Sequence, residues 1–220
     1  MFVCRTTVCD MLALLLQLPT MGKHVALYAL SYIFLLRLPS EALPITIINR
    51  PLAEEEMQVL VAAHHAVLSF DGDSLTLRLA RRKNKPWGGT LRRKCWCELC
   101  PVSCPTHVLG PFVRSWPEGT RPFSHITAAN ALRTLRQLLA LLAIADASKY
   151  RCHDLRRGHV RDLQMRGKRA EEIKRTGQWK SRRVMVRNYL DDELALDGTV
   201  DGTLLSDIVA SSDDEHHDSD

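Results

Sequence analysis

The chain has 220 residues, of which 45% are hydrophobic, and a formal net charge of +5. This length and composition suit a globular protein with one good core and room for a small extra module. The seven cysteines are odd in number and four of them lie between residues 95 and 104, which argues against a regular secreted disulfide framework and favours a reducing compartment. The apolar runs at residues 11–18 and 25–36 are too short to cross a bilayer, so we expect no membrane partner.

Charge is distributed unevenly along the chain. From Asp191 to Asp220 there are 11 acidic residues and no Lys or Arg, whereas residues 1–190 carry all 30 Lys and Arg against 14 acidic residues, a net charge of +16. A body this basic, followed by an acidic tail, predicts a polyanionic partner, most simply nucleic acid. The alternative is a solvated basic face that has no partner.

The N-terminal third is predicted to be mainly helical. Residues 1–20 are expected to be a leader of uncertain structure, and residues 21–36 read as a strongly apolar helix. The segment 44–49 is apolar and β-branched. Residues 51–56 then open a further helix, because the helix dipole favours their three acids in the first turn, and we expect this helix to run to about Ser69.

The middle of the chain is predicted to form a small antiparallel sheet. Residues 74–79 alternate between apolar and polar side chains, as a half-buried strand does. Residues 81–89 are rich in charge and glycine and predict the tip of a β-hairpin, whose return strand begins at Thr90. A Cys-rich insertion at residues 95–107 follows the hairpin.

The C-terminal half is predicted to be helical again. Prolines favour an irregular loop over residues 108–125, after which residues 126–146 show the clearest helical spacing of apolar side chains. Further helices are expected at residues 153–165, 170–176 and 184–196.

The order of helices, a small sheet and more helices predicts an α+β fold. We expect a single domain over residues 21–196. Gly, Ser, Thr and acidic residues dominate residues 197–220, which predicts a disordered acidic tail.

The most informative motif ends at Tyr189. His153 and Arg156 form a His-x-x-Arg pair, Trp179 follows in a Gly-x-Trp motif, and the tyrosine comes ten residues later. A second motif, Arg-x-x-Ser-Glu, begins at Arg37 directly after the apolar helix, and Glu41, one helical turn later, is placed to contact and orient this arginine. These residues supply a hydroxyl nucleophile together with cations and donors that could surround a phosphate. As a set, they resemble the catalytic domain of the tyrosine recombinases, over roughly residues 21–195.

The resemblance implies a mostly helical domain with a small antiparallel sheet, and it implies a role for each residue. Tyr189 would attack the DNA phosphate, while Arg37 and Arg156 would clamp its oxygens with permanently charged, planar guanidinium groups. His153 would hydrogen-bond the phosphate or move a proton. Trp179 holds a place where many family members have a second His and some have Trp; its indole N–H can donate to the phosphate but cannot act as an acid or base.

The resemblance also implies a lysine at the hairpin tip as the general acid for the leaving 5′-oxygen. We choose Lys83, with Lys85 as the alternative. A third interpretation makes every base of the tip a phosphate anchor. The bases concerned are Arg81, Arg82, Lys83 and Lys85.

The Cys-rich insertion offers five metal ligands within thirteen residues. Zinc takes four nitrogen or sulfur ligands in a tetrahedral arrangement. The spacing matches no standard zinc knuckle, so a structural zinc site and a group of reduced structural cysteines both remain open. The set that we expect to bind zinc is Cys95, Cys97, Cys104 and His107.

The predicted function is site-specific DNA recombination or integration, in which double-stranded DNA is cut and rejoined through a 3′-phosphotyrosyl intermediate. Catalysis would need no cofactor, and recombination would need a homo-oligomer on DNA. The Cys-rich insertion together with the basic run 82–85 resembles the Crypton-type mobile elements of fungi in particular. The expected location is the nucleus of a eukaryote, or otherwise the cytoplasm.

Two alternatives to this function remain open. Family members usually carry a helical DNA-clamp domain ahead of the catalytic domain, and we expect this chain to lack one. The chain could therefore be a catalytically inactive, domesticated or truncated relative that binds DNA without cutting it. The second alternative is a type IB topoisomerase-like enzyme that relaxes DNA as a monomer.

Overall fold

The computed structural model describes residues 1–15, 21–48, 53, 55, 56, 59, 66–80, 88–98, 103–179 and 181–189. This part of the chain contains seven α-helices and a four-stranded mixed sheet, which confirms the α+β class. The helices are α1 (Arg5–Leu15), α2 (Gly22–Ile33), α3 (Pro105–Ser115), α4 (Ala128–Leu141), α5 (His153–Met165), α6 (Ala170–Gly177) and α7 (Arg182–Tyr189). The strands are β1 (Ile45–Ile47), β2 (Ala66–Phe70), β3 (Ser74–Leu79) and β4 (Gly89–Lys94).

The chain divides into two compact units, Met1–His159 and Val160–Asp220, and the boundary falls within α5. The core of the first unit is built around α2, in which every side chain from Val25 to Ile33 is buried. Strands β2 and β3, together with α4, contribute further leucines to this core. A fully buried large apolar side chain stabilises a fold by about 1.5–3 kcal/mol, so the buried side chains of α2 contribute substantially to the stability of the unit.

Residues 1–20 were expected to be a leader ahead of the domain, but residues 3–12 contribute to the core. Val8, Met11 and Leu12 of α1 are buried within it. The backbone N–H of Val3 donates to the carbonyl of Asp154 at 3.1 Å, so the N-terminal segment lies directly against α5. Gly158 makes this approach feasible, because a Cβ at that position would lie 1.8 Å from the Val3 carbonyl oxygen.

The sheet has the strand order β1-β2-β3-β4 and is not wholly antiparallel. Strand β1 pairs with β2 in parallel, with Ile45 opposite Ala66, whereas the β2–β3 and β3–β4 pairs are antiparallel. Of these pairs, only the β3–β4 hairpin was predicted. A parallel pair needs a long crossover connection, and residues 48–65 supply one between β1 and β2. The helix predicted to run from residue 51 to about Ser69 is wrong at its end, since the β-forming run from Ala66 to Phe70 is a strand.

The loop predicted over residues 108–125 is also wrong in its first part, because α3 occupies Pro105–Ser115. Pro105 lies in the first turn, where a proline costs no hydrogen bond, and Pro111 lies inside the helix. The packing of the buried Leu109 and Val113 against the core outweighs the cost of that internal proline. A Cβ on Gly110 would lie 2.3 Å from the Phe70 ring, so the glycine allows α3 to pack closely on β2.

The second unit contains the rest of α5 and the helices α6 and α7. The side chain of Glu172 accepts a hydrogen bond from the Arg169 N–H at 3.0 Å and so caps the start of α6. Helix α6 ends one residue later than predicted, at Gly177, and Gln178 follows with a left-handed φ of 53°. Helix α7 begins at Arg182, two residues before the predicted start, and residues 190–196 of the predicted helix lie outside the described residues. None of the described helices is long and apolar enough to span a membrane.

Candidate functional site

The two predicted phosphate-clamp arginines meet at one carboxylate in the first unit. The guanidinium Nη1 of Arg37 lies 3.7 Å from Oε1 of Glu41, and Nη1 of Arg156 lies 3.9 Å from Oε2 of the same residue. The backbone N–H of Arg37 also donates to Glu41 Oε2 at 2.8 Å. The sequence predicted the contact between Arg37 and Glu41, but it did not predict that Arg156 joins them.

A tight reversal after α2 delivers Arg37 to this position. Leu35 adopts a left-handed φ of 56°, and the next backbone N–H, of Leu36, donates to the Ser31 carbonyl at 2.9 Å. The chain then enters one wide π-helical turn, Leu38–Ala42, which places Glu41 within reach of Arg37. A leucine with positive φ costs about 1–3 kcal/mol, so the surrounding core must stabilise this reversal.

The electrostatics of the three residues favour an anionic ligand. Glu41 and Arg156 are buried, with exposed fractions of 3% and 2%, while Arg37 is 32% exposed. Arginine does not lose its charge, so one carboxylate faces two permanent positive charges. Planar guanidinium groups match the oxygens of phosphate and carboxylate, and the exposed part of Arg37 gives such an anion access.

His153 lies beside these charges at the start of α5. Its pKa is lowered, first because the surrounding protein desolvates the ring and then because of the positive charges of Arg156, Arg157 and Arg37. The neutral imidazole is therefore favoured, although the residue keeps an exposed surface. Asp154 opposes this effect, and its carboxylate accepts the Arg151 N–H at 2.8 Å.

The second unit brings Trp179 and Tyr189 together. Their ring centroids lie 5.1 Å apart at an angle of 57°, and both side chains are buried, each with 7% exposure. Gly177 leaves the space for the indole, because a Cβ there would lie 1.6 Å from the Trp179 ring. Lys83, the remaining predicted catalytic residue, lies outside the described residues, as does its alternative Lys85.

A contact among three aromatic side chains was not predicted from the sequence. The rings of Tyr32, Trp96 and His159 contact one another, with centroid distances of 4.7 Å from His159 to Tyr32 and 5.7 Å from His159 to Trp96. Nδ1 of the buried His159 donates to the Tyr32 carbonyl at 2.7 Å, so that nitrogen carries the proton. The sequence signal that could have identified His159 is its position three residues after Arg156, which places both residues on the same face of the helix.

The four residues predicted to bind zinc form one cluster that could hold a metal ion. Their ligand atoms all lie within 4.8 Å of one another, and Cys97 Sγ lies 2.9 Å from His107 Nδ1. Around a zinc ion the sulfurs would be about 3.8 Å apart, given tetrahedral bonds of about 2.3 Å, so little movement is needed. Cys95 and Cys97 follow the end of β4, whereas Cys104 and His107 lie at the start of α3.

Backbone donors already point at the sulfurs of this cluster. The N–H of Trp96 donates to Cys104 Sγ at 3.1 Å, and that of Cys97 donates to Cys95 Sγ at 3.2 Å. The second of these bonds lowers the pKa of the Cys95 thiol, whereas the hydrogen bond with Cys95 and the burial of the sulfur raise the pKa of Cys97 to about 12. Outer-shell donors of this kind orient metal-binding sulfurs.

No protein-family model, curated protein or solved structure matches this chain. The resemblance to the tyrosine recombinases, the resulting function and the roles of the six catalytic residues therefore stay predictions.

Proposed function

We propose that this chain is a DNA-cutting and rejoining protein of the tyrosine recombinase type, with Tyr189 as its nucleophile. The observation that carries the proposal is the meeting of Arg37 and Arg156 at Glu41. These two arginines are far apart in sequence, and the resemblance implies one role for both, the binding of a single phosphate. An arrangement of two guanidinium groups around one carboxylate supports that purpose.

The proposed reaction exchanges one phosphoester bond for another. The Tyr189 hydroxyl attacks the phosphorus, a 3′-phosphotyrosyl bond forms, and the bond to the 5′-oxygen breaks. Arg37 and Arg156 neutralise the two non-bridging oxygens as charge moves onto them. The tyrosine proton leaves through neutral His153 or water, and Lys83 gives a proton to the 5′-oxygen. Because the bond energy is kept in the intermediate, attack by a 5′-hydroxyl restores the DNA without a cofactor.

The charge of residues 1–190 supports double-stranded DNA as the partner. A net charge of +16 over these residues provides many phosphate contacts. Each contact releases a counterion, so the logarithm of the binding constant should fall by about 0.9 per contact for each tenfold rise in salt. Recombination between two sites would require several copies of the chain.

One observation favours a second candidate, a DNA-binding relative that does not cut. Tyr189 is only 7% exposed and its ring lies against Trp179, which would suit a structural tyrosine. In this candidate, the basic surface binds DNA and the ion triad of Arg37, Glu41 and Arg156 stabilises the fold.

A nicked suicide duplex separates the two candidates, because the short fragment released by cleavage diffuses away and traps the covalent complex. We expect an adduct that survives SDS in the wild type and is absent in Tyr189→Phe. The matched control is Tyr150→Phe, which removes the same hydroxyl from a tyrosine that the reaction does not use. Binding without any adduct would reject cutting and support the second candidate. Relaxation of a supercoiled plasmid without recombinant products would instead indicate topoisomerase-like activity.

We also propose that the cluster of Cys95, Cys97, Cys104 and His107 binds zinc in a structural role. Three sulfurs and one imidazole are the ligands that zinc prefers. Four protein ligands fill the tetrahedron and leave no position for a substrate, so this ion would take no part in the DNA chemistry.

A further inference from the structure

We infer that a zinc ion bound to this cluster fixes the position of Trp96, whose side chain contacts both α2 and α5. Helix α2 leads to Arg37, and helix α5 carries Arg156. We call this connection of the two helices through Trp96 the brace. This inference rests on the proposed function, because it assigns the metal a purpose in positioning the phosphate clamp. The argument starts from the position of Trp96, which lies in sequence between two of the proposed ligands, Cys95 and Cys97.

The backbone around Trp96 is part of the metal site itself. Its N–H donates to the sulfur of Cys104 at 3.1 Å, and its two neighbours in sequence supply two of the four ligands. A bound ion would therefore fix the peptide on both sides of Trp96. A separate hydrogen bond from Thr106 Oγ1 to the Lys94 carbonyl, 3.1 Å long, already joins β4 to α3 at this point, so the fold should survive loss of the ion.

The indole of Trp96 contacts both elements that lead to the arginines. Its ring lies 6.2 Å from that of Tyr32, near the end of α2 and five residues before Arg37. It also lies 5.7 Å from the ring of His159, one turn after Arg156 on α5. Both contacts are edge-on, at angles of 77° and 69°, the geometry that aromatic rings prefer.

The segment before the cysteines reinforces the same connection. Arg93, in β4, donates its Nε–H to the Ile33 carbonyl at 2.7 Å, and its guanidinium lies 5.5 Å from the centre of the Phe34 ring. The end of β4 is thus fixed to the last turn of α2, immediately before the reversal that delivers Arg37. Any movement of the cysteine cluster should be transmitted to this turn.

The His159 ring completes the brace on the other side. Because its Nδ1–H donates to the Tyr32 carbonyl at 2.7 Å, His159 joins α5 to α2 directly, and Trp96 packs on both partners of that bond. A shift of about 1 Å in a catalytic group can lower a rate by up to a hundredfold. Loss of the brace should therefore weaken the phosphate clamp without unfolding the protein.

Metal content is the first part of the test. The full-length protein, purified with zinc present, should contain one zinc ion per chain, and cobalt in its place should give the visible spectrum of a tetrahedral thiolate site. Cys104→Ser should lose both signals. The matched control is Cys4→Ser, whose sulfur lies outside the cluster and hydrogen-bonds to Thr6 and Thr7, which a serine can also do. Absence of the ion from the wild type, or equal zinc in Cys104→Ser, would overturn the inference.

The second part follows the ring of Trp96 itself by fluorine NMR of 5-fluorotryptophan protein, with Trp96→Phe to assign the signal. Chelation of zinc should move or broaden the Trp96 resonance. The resonance of Trp116, which packs on Phe112 and Phe123, should stay in place. A Trp96 signal that is unchanged after the ion has gone would contradict the proposed brace.

The third part tests the indole of Trp96 while the metal stays bound. Trp96→Ala keeps the backbone donor and all four ligands, so it should bind zinc as the wild type does. Its rate of adduct formation should fall roughly tenfold to a hundredfold, and Trp96→Phe should restore most of the loss. A rate in Trp96→Ala equal to that of the wild type would overturn the inference. If the wild type forms no adduct at all, the proposed function fails by itself, and metal content and the Trp96 resonance still decide whether the brace exists.

Discussion

The substitution Glu41→Gln tests whether the two arginines are held by a shared carboxylate, since it removes one charge with almost no change in volume. Glu41 is buried, and it faces Arg156 at 3.9 Å and Arg37 at 3.7 Å. Removal of one partner from a buried ion pair destabilises a protein by about 3–5 kcal/mol. Both distances exceed the 2.7–2.9 Å or so of a strong charged hydrogen bond, so we expect a loss near the lower end, about 3 kcal/mol.

Urea unfolding followed by far-UV circular dichroism measures this loss, with the free energies extrapolated linearly to water. The matched control is Glu172→Gln, which removes the charge from an exposed pair with Lys168 at 3.0 Å. Glutamine still caps α6, and exposed pairs stabilise proteins by at most about 1 kcal/mol, so the control should lose little. A loss for Glu41→Gln no larger than that of the control would refute the view that Glu41 holds the two arginines.

Three further predictions follow from the structure. Gly158→Ala should destabilise the protein by about 1–3 kcal/mol in urea unfolding, because the clash of its Cβ with the Val3 carbonyl outweighs the gain of about 1 kcal/mol in helix propensity. A variant that is more stable than the wild type would contradict the close contact between Gly158 and Val3. Gly177→Ala should displace the Trp179 ring, and unchanged near-UV circular dichroism would show that the glycine does not set its position. The pKa of His153 is lowered in the folded state, so folding favours the neutral imidazole. The free energy of unfolding should therefore keep its full contribution from His153 above the unfolded-state pKa of about 6.5. This contribution should decline as the pH falls from there through the folded-state pKa. An NMR titration that gives His153 a pKa at or above 6.5 would reject that reasoning.

Local patterns allowed the sequence to predict those parts of the site that depend on neighbouring residues. The helix over residues 153–165 was predicted with its observed bounds, because the following Gly167 is a local signal that ends a helix. The contact between Arg37 and Glu41 was predicted from their spacing of four residues. The grouping of Cys95, Cys97, Cys104 and His107 was also predicted from their closeness in sequence, and the structure places their candidate ligand atoms within 4.8 Å of one another.

Features that depend on tertiary packing could not be predicted in this way. Nothing near Arg156 in sequence indicates that it meets Glu41, since that contact requires α5 to pack beside the turn that follows α2. Helix α3 was missed because prolines disfavour helices locally, whereas the packing of Leu109 in the core stabilises this one. The contribution of residues 3–12 to the core was missed because it depends on tertiary packing, such as the close approach of Val3 to Gly158.

The most direct test of the central claim is to identify the residue that becomes attached to DNA. Wild-type protein would be incubated with a nicked duplex, digested with trypsin and nuclease, and sequenced by tandem mass spectrometry. We expect a nucleotide linked through phosphate to Tyr189, and we expect it to disappear when Arg37 or Arg156 is replaced by alanine. A nucleotide on another residue, or DNA binding with no linked peptide, would contradict the assignment of Tyr189 as the nucleophile.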